Sequence, residues 1–506
     1  MKRYTTLSAA IALILGSSGA AFAVDQATIE QDGSGNTATI TQDQSDATAS
    51  IVQKGNDNFA NIENTLDTAA TVTTINQQGN SNVADIFTYD TDGAQATIDQ
   101  QGNGNGATID VDTSTNVTAD INQLGAENYA EIAQWDSSDT IRAEINQDGQ
   151  ANIAYITQDA SVADDAVINQ LGAENDATIT QVASTGNVAQ IDQISDLAIA
   201  DIYQTGTGND ADIDQTAAVD SWASISQDGT ENTAVILQDN SYASDATITQ
   251  VGVTNDATIE NLEISDNVTS SISQDGESNI GYISTYNSDG GVLSINQIGF
   301  QNSAEIIVDE SFDTTADIYQ EGDTNLASID QYNFSDNAAA SISQVGNSNV
   351  AQILQDDAMD SSASITQDGD RNMADIQQWN VANTADIEQT GFDNSADILQ
   401  TGEDNAASIS QNGRFNLATI DQSGNWNSAD IIQNGSDNVA DIVQSGDYNI
   451  ASITQNGFLN TASIDQSGAG TADLPNTATI FQTGAFHTAS IIQTGGPGNT
   501  ATITQY

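Results

Sequence analysis

From residue 389 to residue 455 a glutamine stands at every eleventh position: Gln389, Gln400, Gln411, Gln422, Gln433, Gln444 and Gln455. The residues around each glutamine are also fixed. In ATIDQSGNWNSADIIQNGSDNVADIVQ, residues 418–444, Gly424, Asn427, Ala429 and Ile431 return as Gly435, Asn438, Ala440 and Ile442, while the positions between them vary freely. A catalytic site is built once, so a phrase that recurs this often is an architectural constraint. Eleven residues would suit a right-handed helical coil, at about 3.7 residues per turn. The fixed positions exclude that: Asn427, Ala429, Ile431 and Gln433 are spaced by two, which scatters them around a helix but puts them on one face of a strand. A glycine in every repeat would weaken a helix as well. The unit therefore reads as a seven-residue strand, N-x-A-x-I-x-Q, and a tight x-G-x-x turn that carries Gly402, Gly413, Gly424, Gly435 and Gly446.

Isoleucine marks the pattern along the whole chain, from Ile29, Ile40 and Ile51 to Ile480, Ile491 and Ile503, and predicts 42 strands. Early in the chain, intervals of eleven alternate with longer ones, so the structural unit is a coil of 22–24 residues made of strand, turn, strand and turn. Between Ile179 and Ile202 the alternation slips by half a coil. The expected fold is all-β: a two-sheet parallel β-solenoid of about 21 coils over residues 24–506, stacked at the cross-β spacing of ~4.8 Å. Like residues then lie over like. Columns of Ile420, Ile431 and Ile442 exclude water, Ala lets the sheets approach, and the Gln ladder with Asn427 and Asn438 satisfies its amides along the axis.

Composition alone points elsewhere. The chain has 72 acidic against six basic residues and a formal net charge of -66, a profile that in a non-repetitive sequence indicates disorder. A strict period overrides it, because stacked repeats need only a thin core each. No cysteine is present, so disulfides and thiolate metal sites contribute nothing. Such a polyanion repels phosphate backbones and is not expected to bind nucleic acid. Residues 1–23 have the parts of a signal peptide: Lys2 and Arg3, an apolar run around Ile11 to Leu15, and Ala21-Phe22-Ala23 before the cleavage point. The run is too short to span a bilayer, so the expected product is secreted.

Q-x-G-x-x-N-x-A-x-I-x-Q resembles the curlin repeat of curli, the extracellular amyloid fibres of bacterial biofilms. Gln53-Lys-Gly55-Asn-Asp-Asn58-Phe-Ala60 and Gln147-Asp-Gly149-Gln-Ala-Asn152-Ile-Ala154 are clear instances. The resemblance implies a subunit exported through an outer-membrane secretion pore, started by a nucleator subunit and polymerised end to end into a fibre at the cell surface. The chain departs from that family in its large number of repeats, and in starting its first strand at Ala27 without a preceding Gly/Asn-rich segment.

The first coil and the last strand, ATITQY, keep the core pattern, so each end is expected to act as a template for a further copy. Asp375 and Asp397 are expected on one outer face at the coil spacing, where they repel; salt, acid or divalent cations that screen the acidic faces should then speed assembly. The sequence offers no catalytic constellation, no cofactor-binding motif and no metal-ligand cluster. His487 replaces a motif Asn and reads as a tolerated substitution. Trp135, Trp222, Trp379 and Trp426 read as turn or loop residues. Two other readings stay open at this stage: a non-polymerising acidic adhesin at the cell surface, and an ice-binding protein with outward threonines such as Thr39 and Thr41.

Overall fold

The computed structural model describes residues 10–16 (backbone only), 25–43, 46–67, 70–137 and 140–506. The segment read as a signal peptide lies outside these, apart from Ala10–Gly16. Among the described residues there are 43 strands and no helix: Ala10–Gly16, then 42 strands from Gln26–Ser34 to Thr500–Gln505, the number expected from isoleucine spacing. The chain divides into two compact units, residues 1–254 and 255–506.

Within the first unit a strand pairs with the strand two further along the chain, parallel and, apart from one shift, in register. Gln26–Ser34 pairs with Ala47–Asn56 and that with Thr71–Asn80, while Thr37–Asp43 pairs with Phe59–Thr65 and that with Val83–Tyr89. Alternate strands thus feed two parallel sheets, which makes this unit a β-solenoid. Ala10–Gly16 also lies parallel on Thr37–Asp43, Leu13 opposite Ile40. The second unit follows the same rule, from Asp256–Leu262 on Ile280–Tyr286 to Asn476–Ala485 on Thr500–Gln505.

Burial alternates with a period of two, as in Val439–Gln444. The inward Ile420, Ile431 and Ile442 are at most 1% exposed, with Ala418, Ala429 and Ala440 beside them. Ile suits this place because its branched side chain is stiff on a pleated surface, and complete burial contributes about 2–3 kcal/mol per side chain. Ala fills the neighbouring column without holding the sheets apart.

Two features correct the sequence reading. Strand lengths alternate: Ala406–Arg414 and Ser428–Ser436 run through their glycine, whereas Leu417–Gln422 and Val439–Gln444 stop at glutamine. Nor is glycine the residue that bends the chain. Gly413 and Gly435 remain in register within the parallel ladder, and the left-handed turn is made two residues later by Phe415, Asp437 and Leu459, with φ of 55°, 55° and 56°. Glycine is demanded at Gly413 and Gly435 by the backbone, with φ of 132° and 128°, and by stacking as well. A Cβ on Gly413 would lie 1.8 Å from the carbonyl oxygen of Gly435, and one on Gly402 would lie 1.9 Å from that of Gly424.

Within the first unit the glycine column from Gly33 ends where Gly172 meets the Ser195 carbonyl. The ladder shifts register between Val182 and Ser184. A new column then runs through Gly206, Gly229 and Gly252 in strands of the other sheet.

Candidate assembly site in the amide ladders

The inward glutamines form continuous hydrogen-bonded columns. Nε2 of Gln389 donates to Oε1 of Gln411, that residue to Gln433 and that to Gln455, at 2.8, 2.9 and 2.9 Å. In the facing sheet Gln400 donates to Gln422 and Gln422 to Gln444, at 2.9 and 2.8 Å. The second N–H of each amide crosses the core. Gln433 donates to the Leu417 carbonyl at 2.9 Å and Gln411 to that of Ser395 at 2.8 Å. Both donors of a buried amide are thereby used, and the column has a direction: each coil donates to the one that follows it in the chain.

Asparagine runs the other way. It stands just before the strand, and its backbone N–H reaches back to the previous Asn. Asn438 donates to Asn416 Oδ1 from N at 3.2 Å and from Nδ2 at 3.1 Å, and Nδ2 also donates forward to the Gly457 carbonyl at 3.1 Å. Each such Asn ties three coils together. Asn427 keeps only the backbone part, N to Asn405 Oδ1 at 3.0 Å, and the buried Nδ2 atoms of Asn405, Asn427 and Asn449 have no partner. The bends at Asn427 and Asn438 differ because one follows a short strand and the other a long one. His487 takes the Asn place through its backbone, N donating to Asn460 Oδ1 at 3.1 Å.

The sequence reading missed a break in the ladder. In the first unit Asn64, Thr88 and Val111 occupy successive glutamine places. Asn64 Nδ2 donates to Thr73 Oγ1 at 3.1 Å, a hydroxyl where other coils have Ala, and the Thr88 hydroxyl lies 3.0 Å from Asn64 Oδ1 and 2.9 Å from Asp67 Oδ2. Asp67 is 3% exposed, and burial pushes its pKa above the ordinary carboxyl value. Val111 has no side-chain N–H to give, so the next residue in the column, Gln134, has an unpartnered Oε1. The second unit repeats the device: Asn261, Thr285 and Val308 precede Gln331, whose Oε1 is again unpartnered, and Ser270 and Thr285 both approach Asn261 Oδ1, at 3.2 and 3.0 Å. The signal was available in the sequence as I-E-N, I-F-T and I-D-V where I-x-Q is the rule.

The outer faces carry stacked carboxylates. Asp375 is in register with Asp397, and two strands beyond, past Thr419, the row reaches Asp441. Burial raises the pKa of Asp375; burial and then the charges of Asp375 and Asp421 raise that of Asp397. In the first unit Asp212 is pushed up to about 6, by burial first and then by Asp192, Asp214 and Asp210. The tryptophans are not all in turns: Trp135 and Trp379 end strands and Trp222 begins one. Only Trp426 is a turn residue, and it stacks on Tyr448 with ring centroids 4.9 Å apart. All three occupy outward positions of the burial alternation, so no core column has to take the ring.

The family model of the curlin associated repeat matches the chain five times, over residues 335–369, 382–413, 415–446, 436–468 and 476–506. No curated protein shows significant similarity to the chain.

Proposed function

We propose, from the five matches to the curlin associated repeat between residues 335 and 506, that this protein is a secreted structural subunit whose stack continues from one copy to the next as an extracellular fibre of the biofilm matrix. One observation carries the reading. Gln31, the first rung of its column, donates to Gln53 at 2.6 Å, but its own Oε1 accepts nothing. Ala27, Ile29 and Gln31 are only half-buried, unlike the same positions one coil further in. Among the described residues Gln26–Ser34 pairs only with Ala47–Asn56, and its free acceptor and half-buried core row match the donor direction of the intact glutamine columns, so a second copy is the natural complement. Repeats that bind one another along an axis do structural work.

Export through an outer-membrane pore and start-up by a nucleator belong to the same proposal. Divalent cations enter it as screening counter-ions for the acidic faces, not as a bound cofactor. The test is incubation of purified protein lacking residues 1–23, followed by electron microscopy and fibre diffraction. Unbranched fibres with a meridional reflection at ~4.8 Å are expected. A protein that stays monomeric at all salt concentrations would reject the reading.

A further inference from the structure

Tyr129 and Tyr155 stand on adjacent strands of one sheet in the first unit, Tyr129–Trp135 and Ile153–Asp159, which pair parallel and in register. Tyr129 is opposite Ile153 and Tyr155 is opposite Glu131, so the two tyrosines are diagonal neighbours on the outer face. Their ring centroids are 5.8 Å apart, with the planes inclined at 52°, inside the range of rings in direct contact. The two residues are 38 and 36% exposed, so both rings are open to solvent.

Packing alone would be served as well by phenylalanine, as in the pairs Phe392–Phe415 and Phe458–Phe486. Here the phenol groups have partners of their own. The Tyr129 hydroxyl donates to Glu131 Oε2 at 3.1 Å, and Glu131 is the register partner of Tyr155. Burial first, and then the Glu131 charge, raise the pKa of both phenols. Each therefore keeps its proton until an electron is removed, and a carboxylate able to take that proton lies beside them. The chain has no cysteine, so no disulfide can join its coils. With a net charge of -66, separate molecules in dilute solution repel, and their tyrosines meet far less often than this pair does.

We propose that Tyr129 and Tyr155 form an oxidative cross-linking site, where a carbon–carbon bond between the two rings staples successive coils. Each phenol gives one electron to the oxidant and its O–H proton to an acceptor, which for Tyr129 is the Glu131 carboxylate. The two phenoxyl radicals join through ring carbons ortho to oxygen. The hydrogen on each of those carbons is then replaced by a proton on its own oxygen, which restores both phenols. The oxidant is hydrogen peroxide working through a haem peroxidase; it takes up the two electrons and two protons and becomes two waters. The bond closes the loop from residue 129 to residue 155 and constrains the unfolded chain as a disulfide would. Both rings belong to one chain, so the site stands whether or not the stacks join end to end.

Treatment of the dilute protein with a haem peroxidase and hydrogen peroxide tests this. Blue dityrosine fluorescence should appear in the monomer. Trypsin cuts the denatured chain after Lys54, Arg142 and Arg371, and the cross-link should hold peptide 55–142 to peptide 143–371. Mass spectrometry should place the link between Tyr129 and Tyr155, with the loss of two hydrogen atoms. Tyr129→Phe and Tyr155→Phe should each abolish this product, with strand content kept by circular dichroism. Tyr203→Phe, at a residue 46% exposed, should leave it intact. Glu131→Gln should slow its formation about tenfold, since an amide is a poor proton acceptor. Links that instead follow exposure, gathering on Tyr506 at 88%, would overturn the proposal. So would recovery of Tyr129 and Tyr155 unlinked from oxidised wild type. An unchanged rate in Glu131→Gln would overturn the role given to Glu131.

Discussion

Asn427 and Asn438 occupy the same place in the eleven-residue phrase but do different work. The Asn438 amide has two accepting partners for Nδ2, and that of Asn427 has none. Replacing Asn438 by Ser should therefore destabilise the protein by about 1–2 kcal/mol more than replacing Asn427, since an unmade buried amide bond already burdens the latter; urea unfolding of the two variants measures the difference. Glycines separate in the same way. Gly413→Ala would drive a methyl group into the Gly435 carbonyl and should cost over about 3 kcal/mol or abolish cooperative unfolding. Gly186, with φ of +65° and nothing within 4 Å of an added Cβ, should tolerate Ala for about 1 kcal/mol. What the sequence made legible at this scale was the inward face, because a period of two reports side-chain direction directly. The backbone angle of Gly413 and Gly435 was legible too; their second job, leaving room for the next coil, was not, since it depends on the distance to that coil and not on neighbours in the chain.

At the scale of the strand, the break at Asn64, Thr88 and Val111 makes the ladder rule testable. Val111→Gln should supply the donor that Gln134 Oε1 lacks and raise stability by about 1 kcal/mol. Thr88→Gln should instead be destabilising, because the Thr88 hydroxyl is engaged with Asn64 and Asp67. Thermal unfolding of the two single variants is expected to move in opposite directions. The coupling explains why the break escaped sequence reasoning. Thr73, which answers Asn64, is nine residues away on the facing sheet, and only the packed structure says which position of one sheet looks at which position of the other. Strand number and sheet alternation, by contrast, followed from isoleucine spacing alone.

For the whole molecule, charge sets the conditions under which it is stable. Folding raises the pKa values of many stacked carboxyls by burial, among them Asp212, Asp375, Asp397 and Asp430. A carboxyl that titrates higher in the folded than in the unfolded chain holds a proton that the unfolded chain has lost, so its contribution to stability is full below the unfolded pKa and declines as pH rises through the folded one. For Asp212 that window runs from the ordinary 3.8 to about 6. The melting temperature should therefore be higher at about pH 4.5 than at about pH 7.5, the reverse of common acid denaturation. Added salt should narrow the gap by screening the neighbouring charges. A melting temperature that falls on acidification would show that these carboxyls ionise as freely in the fold as outside it.

The contact of each stacked repeat glycine, such as Gly413, with the carbonyl of its successor restricts how such a chain can change length. Between Gln389 and Gln455 an insertion or deletion of 22 residues brings long strand against long strand and leaves every glycine facing a glycine. One of 11 residues sets Gly413 against a strand that ends at its glutamine, as Leu417–Gln422 does. Natural length variants should accordingly differ by whole coils, while single substitutions accumulate on the outward positions. Evolution can edit this molecule by the paragraph more easily than by the letter.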